Sequence, residues 1–204
     1  MSSVATIKRK AIPPHLEVKG GRPLSGVLKV SGAKNSALVL MAAALLTKEK
    51  LLIKNVPQLT DIEVMSEILL NLGAKLSKTN NSLEINSETI RNAELPYQLV
   101  HSLRASFFCV GPLLARLGEV KIPLPGGCNI GARPVDEHLN GLKALGAEVE
   151  VSNDVVKAQV TAKNKRLHGA NITLSYPSVG ATETILMASC LALGKTTISN
   201  PARE

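Results

Sequence analysis

The chain has 204 residues, 45% of them hydrophobic, which is enough to bury one good core or two modest ones. Its longest apolar run, Ala37–Leu46, is too short to span a bilayer, and the opening MSSVATIKRK lacks the apolar stretch of a signal peptide, so no membrane insertion and a cytoplasmic location are expected. The net charge of +8 favours anionic partners, but only 2% of residues are aromatic, the basic residues are dispersed, and no zinc-finger, RNP or basic-helix pattern occurs, so a small phosphorylated ligand explains the charge at least as well as nucleic acid does.

In chain order, residues 1–15, which hold Lys8, Arg9 and Lys10, read as a flexible basic extension, and residues 16–31 as a strand region. A domain follows over 32–204. Its first segment, residues 32–76, reads as loop, apolar helix, strand, loop, amphipathic helix and a further strand. Ser36 is placed to cap the first helix, and LLIKNV is a short strand. Asp61 and Glu63 suit the start of the second helix and Gly73 its end, with Ile62, Met65, Ile68, Leu69 and Leu72 on one face.

The second segment, residues 101–149, repeats this order: a helix around SLRASFFCVGPLLARL, the strand EVKIPL, a glycine-rich loop, then the helix PVDEHLNGLKALGAEV. Gly73 and Gly146 occupy the same LGA phrase, 73 residues apart. A third segment, SVGATETILMASCLALGKTTISN, matches the pattern of SGAKNSALVLMAAALLTKEKLLIKN and stops at PARE. The repeats predict related α/β units sharing a core, with inner Ala-rich helices and outer amphipathic ones, and a third unit that is incomplete.

Cys109, Cys128 and Cys190 form neither a disulfide framework nor a zinc signature, and no metal site is expected. Cys109 and Cys190 lie on apolar helical runs and are expected to be buried and inert. Cys128 instead sits in PGGCNIG, where glycines let the backbone approach a ligand. Arg133 follows, then Pro134 at the expected first helical position, then Asp136 and Glu137 in the first turn; His138 faces either inward or to solvent. A thiol surrounded by arginine and backbone amides would have a lowered pKa and could act as nucleophile or proton donor.

In SGAKNSAL, Lys34 and Asn35 stand where a glycine-containing loop enters a helix, an arrangement that can hold an anion although it is not a P-loop. Arg104 of LVHSLRAS and Ser178, Val179 and Gly180 of YPSVGAT occupy matching points of the other segments. If symmetry gathers these helix entrances, Lys34, Arg104 and Arg133 form a cationic pocket facing Cys128.

SGAKNSAL, NVPQLTDI, LRAS, PGGCNIGARPVDEHL, PSVGAT and NPARE, in that order, resemble the amino-terminal half of the UDP-N-acetylglucosamine enolpyruvyl transferases, over about Leu16 to Glu204. The resemblance implies an α/β fold of two similar domains, each of three βαβαββ-type units around inward-facing helices, an inside-out α/β barrel. It implies transfer of the enolpyruvyl group of phosphoenolpyruvate to the 3-hydroxyl of UDP-N-acetylglucosamine, the first committed step of peptidoglycan synthesis, with no cofactor. Cys128 would be the catalytic loop cysteine, protonating the methylene carbon and reacting with fosfomycin. Lys34 and Arg133 would contact phosphoenolpyruvate, Asn35 the sugar, and Arg104 the sugar nucleotide. Arg133, Pro134, Val135, Asp136, Ser178, Val179 and Gly180 would line the UDP side. Tyr176 stands where some members have a nucleotide-contacting lysine. The family's general base belongs to a second domain, which this chain lacks, so the chain by itself is expected to be a poor catalyst or none. Two alternatives are a shikimate-type enolpyruvyl transferase and a basic α/β module that binds nucleic acid.

Overall fold

A computed structural model of the chain describes residues 15–125 and 135–203. The chain divides into two units, Met1–Val30 and Ser31–Glu204. In the first, residues 15–30 form no strand, contrary to the expectation for 16–31: a strand needs a paired ladder, and here Leu24 and Val27 are about as exposed as in an extended chain.

The second unit opens with helix α1 (Lys34–Ala43), continued by a 3-10 turn through Leu46. Strand β1 (Lys50–Ile53), helix α2 (Thr60–Asn71) and strands β2 (Lys75–Thr79) and β3 (Ser82–Asn86) follow. Ser36 does not cap α1; the N-cap is Ala33, which has no hydroxyl, and Ser36 falls within the first turn. The α2 expectation holds: Ile62, Met65, Ile68 and Leu69 are buried, and Gly73 takes the left-handed conformation (φ +98°) that an L side chain resists.

Helix α3 (Tyr97–Ser102) leads to a 3-10 segment, Arg104–Cys109, and helix α4 (Val110–Leu117). The single helix expected here is therefore divided. Leu103 is extended (φ −134°, ψ 103°), which ends α3, and Pro112, which has no N–H to offer the Phe108 carbonyl, falls in the first turn of α4, where none is needed. Strand β4 (Glu119–Pro123), helix α5 (Asp136–Ala144) and strands β5 (Glu148–Ser152) and β6 (Val155–Gln159) complete the second repeat. Helix α5 begins at Asp136 with Val135 as N-cap, two residues beyond the expected start at Pro134, which lies outside the described residues. Asn153 and Asp154 both have positive φ, forming the tight turn between β5 and β6. The third repeat contributes β7 (Asn171–Thr173), α6 (Val179–Ser189) and β8 (Thr197–Ser199).

The repeats are visible in the topology. The first two sheets have equivalent orders, β1-β3-β2 and β4-β6-β5, with all pairs antiparallel. The third, β7-β8, is parallel, and Glu94 makes a matching parallel bridge beside β4 at Lys121. Of the helices expected to be inner, α4 is enclosed, with Val110 to Ala115 all buried, whereas Leu40 of α1 and Leu186 of α6 are exposed. A Cβ on Gly111 would lie 2.4 Å from the Thr184 carbonyl oxygen, so only glycine lets α4 approach α6 this closely. Gly141 does the same for α5, where a Cβ would lie 2.2 Å from Ile185 Cδ1.

Arg116 ties the first two repeats together by donating to the carbonyl oxygens of Leu45 (2.9 Å), Thr47 (3.0 Å) and Ser87 (2.7 Å). Cys109 is buried, and that burial pushes its thiol pKa up to about 12. Cys190 is exposed, which corrects the expectation that its helix shields it: α6 ends at Ser189 and Cys190 is already the C-cap.

Candidate functional site

A cleft of about 1010 Å³ opens where the entrances of α1 and α6 meet the 3-10 segment. Lys34 and Asn35 come from α1, Arg104 from the 3-10 segment, Val135 from the N-cap of α5, and Ser178, Val179 and Gly180 from the start of α6. The structure thus gathers residues from all three repeats. Asp136 is not among the lining residues; it opens α5 and is exposed. Cys128, Arg133 and Pro134 lie outside the described residues.

Local packing fixes each wall. At the α1 entrance, a Cβ on Gly32 would sit 1.7 Å from the Asn55 carbonyl oxygen, so glycine is needed for the loop to pass. Lys34 Nζ donates to Asp61 Oδ2 at 2.6 Å, and Asp61 also lines the cleft. At the α6 entrance, the Ser178 hydroxyl accepts from the Ala181 amide and so caps its own helix (3.3 Å). The buried Glu137 carboxylate accepts from the Ser175 amide (3.0 Å) and hydroxyl (2.7 Å), which fixes the segment leading to Tyr176 and Ser178 against α5. Tyr176 lines the cleft and is 44% exposed.

His138 faces inward, which settles the open question of its orientation. Its Nδ1 is 3.0 Å from Thr184 Oγ1, and its ring meets Phe107 edge-on with centroids 5.0 Å apart. Burial first, then the nearby Arg104 charge, lowers its pKa to about 4, with Glu137 opposing. The ring is therefore neutral at pH 7. Gly180 makes room for it, since a Cβ there would lie 3.1 Å from Cε1 and 3.2 Å from Nε2.

Asp61, His138 and Phe108 line the cleft without having been singled out as binding residues from the sequence, and Tyr176 lines it at the position where some members have a lysine. A signal existed for His138: with Leu142 and Leu145 it falls on the apolar stripe of its helix. Asp61 gave only its helix-start signature. Among the described residues, no group of three or more His, Cys, Asp or Glu side chains is placed to hold a metal ion. No helix among them is long and apolar enough to cross a membrane.

Chemically, the cleft offers an ammonium, a guanidinium, an amide side chain and helix-start amides on one surface, a donor-rich lining suited to anionic oxygen. The family model described as EPSP synthase (3-phosphoshikimate 1-carboxyvinyltransferase) matches residues 18–204. A UDP-N-acetylglucosamine 1-carboxyvinyltransferase of Prochlorococcus marinus strain NATL2A is 88% identical over the whole chain, and one of strain MIT 9313 is 56% identical. The chain spans 44% and 47% of the lengths of these two relatives. Among solved structures, the enolpyruvyl transferase NikO from Streptomyces tendae matches with a TM-score of 0.74 at 24% identity, over 89% of this chain and 42% of that one. An EPSP synthase from Acinetobacter baumannii matches at 0.67 and 16%, over 88% of this chain and 41% of that one. The fold is that of the enolpyruvyl transferases, as expected from the sequence.

Proposed function

From the premise that the chain belongs to the EPSP synthase family, we propose that it is part of an enzyme that transfers the enolpyruvyl group of phosphoenolpyruvate to the 3-hydroxyl of UDP-N-acetylglucosamine. The observation that carries this reading is the convergence of Lys34, Asn35, Arg104 and the Ser178–Gly180 turn on one cleft, in a chain 88% identical to a transferase named for that acceptor.

The reaction adds the sugar hydroxyl to C2 of phosphoenolpyruvate and a proton to C3. Phosphate then leaves C2 as C3 gives the proton back. Lys34 binds the phosphoenolpyruvate anion and Asn35 the sugar. Arg104 and the amides of Val179 and Gly180 receive the nucleotide. Arg133, Pro134, Val135 and Asp136 extend the nucleotide side, and Cys128 supplies the proton to C3. The base that accepts the sugar hydroxyl proton belongs to a second domain, whose closure over the cleft excludes water. These substrates imply a cytoplasmic enzyme of cell-wall synthesis.

Phosphate release tests this, measured on the 204-residue chain and on a form extended to the length of its relatives. The extended form should turn over UDP-N-acetylglucosamine and the chain alone should not. Exclusive use of shikimate 3-phosphate would overturn the acceptor and favour the shikimate-type alternative.

A further inference from the structure

We propose that His138 donates a hydrogen bond from Nε2 to a phosphate oxygen of the ligand at the α6 entrance, and that Thr184 holds the ring in the tautomer this requires. The proposal rests on the sugar-nucleotide reading above and adds two residues to its diphosphate side.

The tautomer follows from the hydroxyls of α6. Thr182 and Ser189 each return their hydroxyl proton to the carbonyl four residues back, Ser178 and Ile185, both at 2.7 Å. Thr184 is fully buried and has no such bond among the described residues; its hydroxyl partner is His138 Nδ1 at 3.0 Å. A buried hydroxyl that donated to nothing would forfeit a hydrogen bond, so Thr184 donates to Nδ1. In a neutral imidazole the other nitrogen then carries the proton, which makes Nε2 a donor.

The surroundings of Nε2 point to its ligand. His138 is 92% buried by its 8% exposure, yet it lines the cleft, and no hydrogen bond to Nε2 occurs among the described residues. Nε2 stands against the first turn of α6, 3.2 Å from the position of a Cβ on Gly180. The amides of Val179 and Gly180 precede the first intrahelical bond of α6 and have no acceptor among the described residues. Arg104 lines the same cleft. Two amides and an imidazole N–H without an acceptor among the described residues, with the Arg104 charge beside them, fit an acceptor with several oxygens, as a diphosphate is.

The test is ¹⁵N NMR of the histidine-labelled chain at pH 7, with UDP, inorganic pyrophosphate and uridine as probes. The free chain should show His138 protonated on Nε2. UDP and pyrophosphate should shift that nitrogen, and uridine should not. Thr184→Val should release the tautomer, and both it and His138→Phe should weaken UDP binding about tenfold. A ring protonated on Nδ1 would overturn the proposal, as would unchanged UDP affinity in both variants. Binding of UDP with Nε2 unmoved overturns this proposal alone. Failure of the wild-type chain to bind UDP at millimolar concentration overturns the assigned ligand together with the sugar-nucleotide reading.

Discussion

Lys34 and Asp61 face each other across the α1–α2 junction, with Nζ 2.6 Å from Oδ2. The lysine expected to hold an anion therefore already holds a carboxylate, and an incoming anion must share or displace it. Both side chains are more than a third exposed, so the pair itself adds little stability. Asp61→Asn should cost under about 1 kcal/mol in urea unfolding. It should also tighten phosphate binding by the chain severalfold, read by calorimetry. Weaker phosphate binding in the variant would show instead that the carboxylate orients the ammonium for its ligand.

His138 makes stability depend on pH. Its pKa is about 4 in the folded chain against an ordinary 6.5. Between these values the unfolded chain binds the proton and the folded chain does not, so stability rises with pH through this window. The contribution is complete above about pH 6.5 and is lost as pH falls toward 4, amounting to about 3 kcal/mol. Urea unfolding of wild type and His138→Phe at pH 4 and pH 7 isolates it from the carboxylates: the difference in stability between the two proteins should shift by that amount, in favour of the wild type at pH 7.

Gly111 and Gly141 should respond differently to alanine. The new Cβ at 111 meets backbone, the Thr184 carbonyl oxygen, and α4 and α6 must part; about 3 kcal/mol should be lost. At 141 the Cβ meets the Ile185 side chain, which can be trimmed. Gly141→Ala should therefore cost less beside Ile185→Ala, which removes both the Cδ1 and the Cγ1 that the new Cβ meets, and the double variant should be less destabilised than the sum of the singles. Thermal unfolding of the set decides it.

Thiol labelling follows burial. Cys109 is buried with its pKa pushed up to about 12, while Cys190 is exposed. Brief alkylation at pH 8 followed by peptide mass spectrometry should label Cys190 and leave Cys109 untouched until denaturant is added. Cys128, proposed as the reactive thiol, should label faster than Cys190. Equal rates would remove the case for an activated Cys128.

The repeat and the α2 face were legible because each rests on short-range pattern: periodicity and a glycine after a helix. The division at Leu103 was not legible, because the run from Ser102 onward reads as one helix. Convergence of Lys34, Arg104 and Ser178–Gly180 could be anticipated only through the repeat, because their positions in sequence carry no contact information. The Lys34–Asp61 pair, the three carbonyls on Arg116 and the His138–Thr184 bond depend on which helices become neighbours, and residue type alone does not supply that. The exposure of Cys190 turned on where α6 stops, a boundary set within one residue.

The two three-stranded sheets have a consequence for how the chain reaches this shape. Each closes between nearby segments, Lys50 with Asn86 in one and Glu119 with Gln159 in the other, so each can assemble at a small loop-closure cost. The contact of Gly111 with Thr184 spans about twice as much chain and also demands a tight helix crossing. Local sheets should therefore acquire hydrogen-exchange protection first during refolding, and α6 last. The cleft depends on the α6 entrance, so ligand binding would report the final step of folding.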